Sequence, residues 1–287
     1  MRIELAALAL LLIPSLSLAE VEDKRTIRET LNFTGGGNRT VVVDIVSGDI
    51  KVTAHGGTDV RAVITESIRA DSNEDLNLAR NEVRLDRTSK DGAITFYEEG
   101  PYRCNCSDGD RGSRRSNRRR YHVRYDVEIQ APEDVNIDLH TVNGGIEAAG
   151  IKGDYEARTI NGGVTLSDVA GSQGNVYALN GGVKVTFSKN PTKNSSYGSL
   201  NGKVRLFFQP GLSADFLMKT FNGKIYSDFE MTSLPSQPIR MERDGTKRIF
   251  RSDRSANGRV GSGGIEIELK GFNGNMYVLE RGRSSEE

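Results

Sequence analysis

One short phrase returns six times in this chain, and that repetition restricts the possible folds more than any other feature. Thr141-Val-Asn-Gly-Gly-Ile146 is followed by Thr159-Ile-Asn-Gly-Gly-Val164, Ala178-Leu-Asn-Gly-Gly-Val183, Ser199-Leu-Asn-Gly-Lys-Val204 and Thr220-Phe-Asn-Gly-Lys-Ile225. A sixth copy, Gly271-Phe-Asn-Gly-Asn-Met276, lies near the C-terminus. The asparagines are Asn143, Asn161, Asn180, Asn201, Asn222 and Asn273, so the first five are 18, 19, 21 and 21 residues apart. Periods near this length belong to stacked units, each of which buries its apolar face only against its neighbours.

Aligned on Asn, the copies share a pattern on both sides. Four residues before it stand Leu139, Ala157, Val176, Tyr197, Met218 and Leu269, and two before it a small residue. Three residues after it come Ile146, Val164, Val183, Val204, Ile225 and Met276. Such period-two alternation reads as strand, Asn-Gly turn, strand, with one face apolar. Asn-Gly is also the strongest short hairpin signal, since both residues accept positive φ. Two all-β folds are therefore open. One is a β-solenoid or β-roll of about 18–21-residue coils with its asparagines stacked about 4.8 Å apart; the other is an antiparallel β-meander or sandwich.

The run Ala131-Pro-Glu-Asp-Val-Asn-Ile-Asp-Leu-His-Thr-Val-Asn-Gly-Gly-Ile, with Gly153-Asp-Tyr-Glu-Ala-Arg-Thr-Ile-Asn-Gly-Gly-Val after it, resembles the bacterial exported domain family known as "putative adhesin", of unknown function. The resemblance covers roughly residues 130–230. It implies an all-β repeat fold in the cell envelope and carries no catalytic motif across.

The remaining segments are read in relation to the repeats. Residues 1–19 have Arg2, an apolar run from Leu5 to Ile13 and a Ser17-Leu18-Ala19 ending, the signature of a cleaved secretory signal peptide. No other stretch is long and apolar enough for a membrane span. Residues 20–99 are expected to be an N-terminal β region that caps the stack, with 20–39 a flexible leader, Ser47 in the Asn place of a degenerate unit, and a short helix over Ser72–Asn81. Repeats fill 125–230, an irregular insertion 231–262, the final repeat 263–280 and a polar tail 281–287.

Lys+Arg and Asp+Glu are 39 each, so net charge selects no partner. Locally, residues 100–124 carry eight Arg against Asp108 and Asp110. Such a segment cannot bury much apolar surface and reads as a loop. Arg111, Arg114, Arg115, Arg118, Arg119, Arg120 and Arg124 are its candidate contacts for an anionic polysaccharide or other envelope component. Aromatics are too few there for a nucleic-acid site, and oligomeric state is left open. Cys104 and Cys106 are the only cysteines; a strained disulfide, free or intermolecular thiols, and metal ligation with His122 or Asp108 all remain open.

No H-E-x-x-H, G-x-S-x-G or dinucleotide fingerprint occurs, and no cofactor or metal is expected. The six asparagines are read as structural turn residues. One enzymatic alternative has geometry: in a parallel stack Asp138 and Glu156 would be ladder neighbours, as would His140 and Arg158, resembling the faces of β-helix enzymes acting on acidic polysaccharides. The same ladders continue as Asn175 and Ser196, the mixed polarity of a wet sheet. The expectation is therefore a non-catalytic, adhesin-like binding or structural module.

Overall fold

The computed structural model describes residues 20–103, 120–234, 241–244, 247–250 and 255–283. The expected signal peptide, both cysteines, and Arg111, Arg114, Arg115, Arg118 and Arg119 lie outside them. The chain opens with β1 (Val21–Leu31), β2 (Thr40–Asp44), β3 (Ile50–His55), β4 (Val60–Ala70), α1 (Asn73–Glu82), β5 (Arg84–Lys90), β6 (Ala93–Glu99) and β7 (Tyr121–Pro132). The repeats supply β8 (Asn136–Asn143), β9 (Ile146–Ala149), β10 (Tyr155–Asn161), β11 (Val164–Val169), β12 (Gly174–Asn180), β13 (Val183–Phe187), β14 (Ser195–Asn201), β15 (Val204–Phe208), β16 (Ala214–Lys219) and β17 (Ile225–Ser227). Then come β18 (Thr232–Ser233), β19 (Met241–Asp244), β20 (Lys247–Phe250), β21 (Ser255–Val260), β22 (Ile265–Asn273) and β23 (Met276–Glu280).

Two large mixed sheets hold nearly all of these strands, and neither closes on itself. Sheet 1 runs β1-β4-β7-β3-β9-β11-β13-β15-β23-β17, and sheet 2 runs β18-β21-β16-β22-β14-β12-β10-β8-β2-β6-β5. Each Asn-Gly turn carries the chain from sheet 2 to sheet 1, so one strand of each sheet and the turn between them make a rung. Successive rungs pair in parallel with matched register: Asn161 lies opposite Asn143 and Asn180, and Val164 opposite Ile146 and Val183.

The inward positions form one core. Val164, Val183 and Val204 are each about 1% exposed, and burying each side chain contributes roughly 1.5–3 kcal/mol. Rings join the two sheets: Phe187 meets Tyr197 edge-on at 6.0 Å, and Phe208 meets Phe216 at 5.9 Å. The Tyr155 and Tyr197 hydroxyls bond each other at 2.8 Å within this core. Gly174 makes room for Tyr155, since a Cβ there would come within 2.3 Å of its ring. Burial pushes the Tyr197 pKa up to about 12 and raises that of Tyr155 as well.

The order of rungs departs from the order of the chain at both ends. β22 lies between β14 and β16, and β23 between β15 and β17. The sixth copy, last in the sequence, is an interior rung of the stack. At the other end β2 and β3 lie between β6/β7 and β8/β9. Ser47 does occupy the Asn place, bridged to Asn143.

Other expectations are modified too. Residues 20–39 are no flexible leader throughout, because β1 pairs with β4 over its whole length. α1 begins at Ser72, whose Oγ accepts from the Asp75 N–H at 3.1 Å, an N-cap that satisfies an otherwise orphan donor. Within 231–262, β21 pairs antiparallel with β16 and with β18. Arg124 and Tyr121, read as loop, belong to β7, whose alternation of Tyr121, Val123, Tyr125, Val127 and Ile129 is that of a strand.

Candidate binding surfaces

The turn edge is the most regular surface. The Asn161 amide donates to Asn143 Oδ1 at 2.8 Å, Asn180 to Asn161 at 3.0 Å, Asn201 to Asn180 at 2.9 Å, Asn273 to Asn201 at 2.8 Å and Asn222 to Asn273 at 2.9 Å. Two residues earlier, Thr141, Thr159, Ser199 and Thr220 donate their hydroxyls to the carbonyls of Gly48, Gly144, Gly181 and Gly274 on the adjoining rung. At these four positions the small residue is buried and its hydroxyl has a fixed acceptor; Ala178 and Gly271 fill the same place without one.

The glycine after each Asn is required by close approach. A Cβ on Gly162 or Gly181 would lie 1.9 Å from the carbonyl oxygen of the preceding turn. Positive φ, the reason expected from the sequence, is absent from Gly144, Gly162, Gly181, Gly202 and Gly223 and from every one of the six asparagines.

β6 and β7, the strands on either side of the arginine-rich segment in the sequence, lie beside β2 and β3, on the rung beyond Ser47. The base of that segment is tied down by carboxylates. Arg103 donates to Asp44 Oδ2 at 2.8 Å and to the Asp44 carbonyl at 2.9 Å, with its guanidinium 4.5 Å from the centre of the Tyr97 ring. Arg124 reaches Asp49 at 2.6 Å and Asp126 at 2.7 Å. The carbonyl of Arg120 accepts from the Asp71 N–H at 2.9 Å. Beneath lies a buried carboxyl, Glu98, which accepts from the Val46 N–H at 2.6 Å and from the Tyr102 hydroxyl. Burial raises its pKa, against the lowering effect of those bonds and of Arg103.

Rings and cations alternate on the outer face of sheet 1 toward the other end. Tyr226 and Tyr277 stack at 5.0 Å with 12° between their planes. Arg205 lies over Tyr277 at 5.8 Å, and the Lys184 ammonium over Phe207 at 5.6 Å. Beside the asparagines, Phe221 and Phe272 stack at 4.9 Å and are 59% and 44% exposed. A groove of about 470 Å³ on sheet 1 near the N-terminal end is lined by Arg28, Lys51, Arg61, Glu128 and Gln130 among others.

The outer face of sheet 2 brings Asp138, His140 and Glu156 together, as the ladder reading anticipated. Glu156 pairs with Asp138, and Arg158 with His140. His140 Nε2 lies 2.9 Å from Asp138 Oδ1 and 3.5 Å from Glu156 Oε1, while Arg158 Nε is 2.8 Å from Glu156 Oε1. The contact with Asp138 is the chief cause of a raised His140 pKa; burial opposes it, and Asp44 and Glu156 add to it.

No family model matches the sequence, and no curated protein does. Solved structures similar to it include one described as a "putative cell adhesion protein" from Clostridium sporogenes ATCC 15579, 9% identical, covering 90% of this chain and 100% of its own, with a TM-score of 0.40. Another, a "putative adhesin" from Bacteroides fragilis NCTC 9343, is 10% identical and covers 89% of this chain and 97% of its own, at 0.35. A third, a "putative lipid binding protein" from Parabacteroides distasonis ATCC 8503, is 9% identical with the same coverage, at 0.26. Among the described residues no helix is long and apolar enough to cross a membrane.

Proposed function

We propose that this chain is an exported, non-catalytic binding module of the cell envelope, adhesin-like in build, whose rungs form a β-solenoid capped by its N-terminal strands. Its ligand in this reading is an anionic polymer, acidic polysaccharide foremost. The observation that carries it is the pairing of ring and cation on neighbouring rungs: Lys184 with Phe207, and Arg205 with Tyr277 stacked on Tyr226. Tyr226 is exposed and Phe207 and Tyr277 are half-buried; such rings offer a stacking surface to sugar rings, and cations beside them attract carboxylate or sulfate groups. The arginine-rich segment adds a second cationic contact, since Arg103 and Arg124 at its base are already matched by Asp44, Asp49 and Asp126.

The polysaccharide-cleaving alternative is the weaker reading. Asp138 and Glu156 are engaged by His140 and Arg158, and their ladder runs on through Asn175 and Ser196, the mixed polarity of an ordinary wet sheet.

Retention on an anionic polysaccharide matrix tests the proposal. Replacing Arg114, Arg115, Arg118, Arg119 and Arg120 with Ser should lower retention at low salt, and so should Arg205→Ala with Tyr226→Ala. Wild-type retention should fall with salt as charges are screened. Equal retention of all three proteins would overturn this reading.

A further inference from the structure

We propose that Asp138, His140 and Glu156 form a binding site for one divalent transition-metal ion, with zinc the best match. Asp138 and His140 stand two residues apart on β8, so they share a face, and parallel pairing sets Glu156 of β10 directly beside Asp138. One ligand atom from each residue falls within 4.8 Å of the other two. The imidazole nitrogen lies 2.9 Å and 3.5 Å from the two carboxylate oxygens. Two ligands of a tetrahedral zinc ion, bonded at about 2.0–2.1 Å, are about 3.3 Å apart, so these spacings bracket the distance that a shared ion requires.

A second observation separates this cluster from an ordinary surface ion pair. Asp138 Oδ1 and His140 Nε2 are shielded from solvent, yet neither completes a hydrogen bond to any described residue. At 2.9 Å their contact is close enough, so direction is what fails: the imidazole N–H cannot point along the line to the oxygen. A cation bound between the two atoms would give both a partner.

The donor set narrows the ion. One imidazole with two carboxylates suits zinc, manganese, cobalt or nickel, whereas magnesium and calcium favour all-oxygen shells and copper(I) favours sulfur. Three protein ligands leave a fourth position for water or for a carboxylate of a bound polymer. Around them, Arg158 holds Glu156, and Arg103 holds Asp44, the residue opposite His140 on β2. Arg158 competes with an ion for Glu156 and would weaken the site.

The test is titration of the metal-free mature chain with Zn²⁺ near neutral pH, in a Cys104→Ser, Cys106→Ser background that removes thiolate binding. One ion per chain is expected, with loss of at least about tenfold in affinity for His140→Ala, Asp138→Asn and Glu156→Gln. Arg158→Ala should bind as tightly as the parent or more so. Cobalt should give the visible absorption of a four-coordinate ion in the parent and lose it in His140→Ala. Unchanged circular dichroism in each variant would show that the fold is kept. Absence of stoichiometric binding up to about 1 mM metal, or binding that survives His140→Ala with Asp138→Asn, would overturn the assignment. The same variants should leave retention on the anionic matrix without added metal unchanged, so failure here is separable from failure of the polymer-binding reading.

Discussion

Asn273 donates its side-chain amide to Asn201 across 2.8 Å, although 72 residues separate the two in the chain. The last repeat thus occupies a slot between two rungs formed by earlier parts of the sequence, and Asn222 bonds to it from the far side. The tight turn contact is the same there as inside the array: a Cβ on Gly274 would lie 1.9 Å from the Gly202 carbonyl oxygen, as one on Gly181 would from Gly162. Gly274 also has φ +159°, a conformation that residues with a side chain rarely adopt, so Gly274→Ala should destabilise at least as much as Gly181→Ala, for which overpacking costs roughly 1–3 kcal/mol. Chemical denaturation of both variants checks this; a Gly274→Ala protein as stable as wild type would mean that the last copy is a loose end.

Val183 points into the shared core and is about 1% exposed. Val183→Asp removes roughly 1.5–3 kcal/mol of apolar burial and adds an unpaired buried charge whose cost is larger still. A domain with about 5–15 kcal/mol in total cannot absorb this, so the variant should be unfolded or aggregated. Thr165→Asp, on the exposed side of the adjoining strand, should change stability by about 0.5 kcal/mol or less. Circular dichroism of the pair distinguishes an inward from an outward position.

Side-chain alternation made the inward residues legible: Ile146, Val164, Val183 and Val204 occupy equivalent positions in the repeat, and the fold buries all four. Alternation could not give the order of rungs, because the Met276–Val278 frame fits any slot beside an equivalent strand. Nor could it separate the two reasons for glycine, positive φ and close approach, since the second depends on a carbonyl of a neighbouring rung. Arg124 was misjudged by composition, though Val123, Tyr125 and Val127 around it carried the strand signal. Asp138, His140 and Glu156 were legible as ladder neighbours, but the bent 2.9 Å contact between imidazole and carboxylate has no trace in the sequence.

Arg124 and the arginines between 114 and 120 should behave as different classes. The Arg124 guanidinium holds Asp49 and Asp126, while the Asp49 carboxylate accepts from the Gly145 N–H at 2.7 Å and so links β7 to the first Asn-Gly turn. Arg124→Ser should cost about 1–2 kcal/mol, allowing for the partial exposure of these groups. The fivefold substitution at Arg114, Arg115, Arg118, Arg119 and Arg120 should cost no more than about 0.5 kcal/mol. Thermal unfolding of the two proteins is the measurement, and a larger loss in the fivefold variant would show that the segment supports the fold.

Glu98 gives the fold a pH dependence whose sign is fixed by burial. Its side chain is fully shielded, and burial, the largest effect, raises its pKa above the unfolded value, outweighing the bonds from Val46 and Tyr102 and the charge of Arg103. The folded state therefore holds the proton more tightly than the unfolded chain. The stability this provides is complete below the unfolded pKa and is lost as pH rises through the folded one. Gln cannot ionise, and its carbonyl oxygen can still accept from the Val46 N–H. Near pH 4, Glu98→Gln should match wild type within the effect of one altered hydrogen bond, about 1 kcal/mol. Toward pH 7 the melting temperature of the variant should gain steadily on that of wild type, because only the wild type must then bury a charge. Melting curves across this range decide the point: a difference that stays constant with pH would mean that Glu98 titrates in the fold as it does in the unfolded chain, and a difference that moves the other way would mean that the bonds to its carboxylate outweigh the burial.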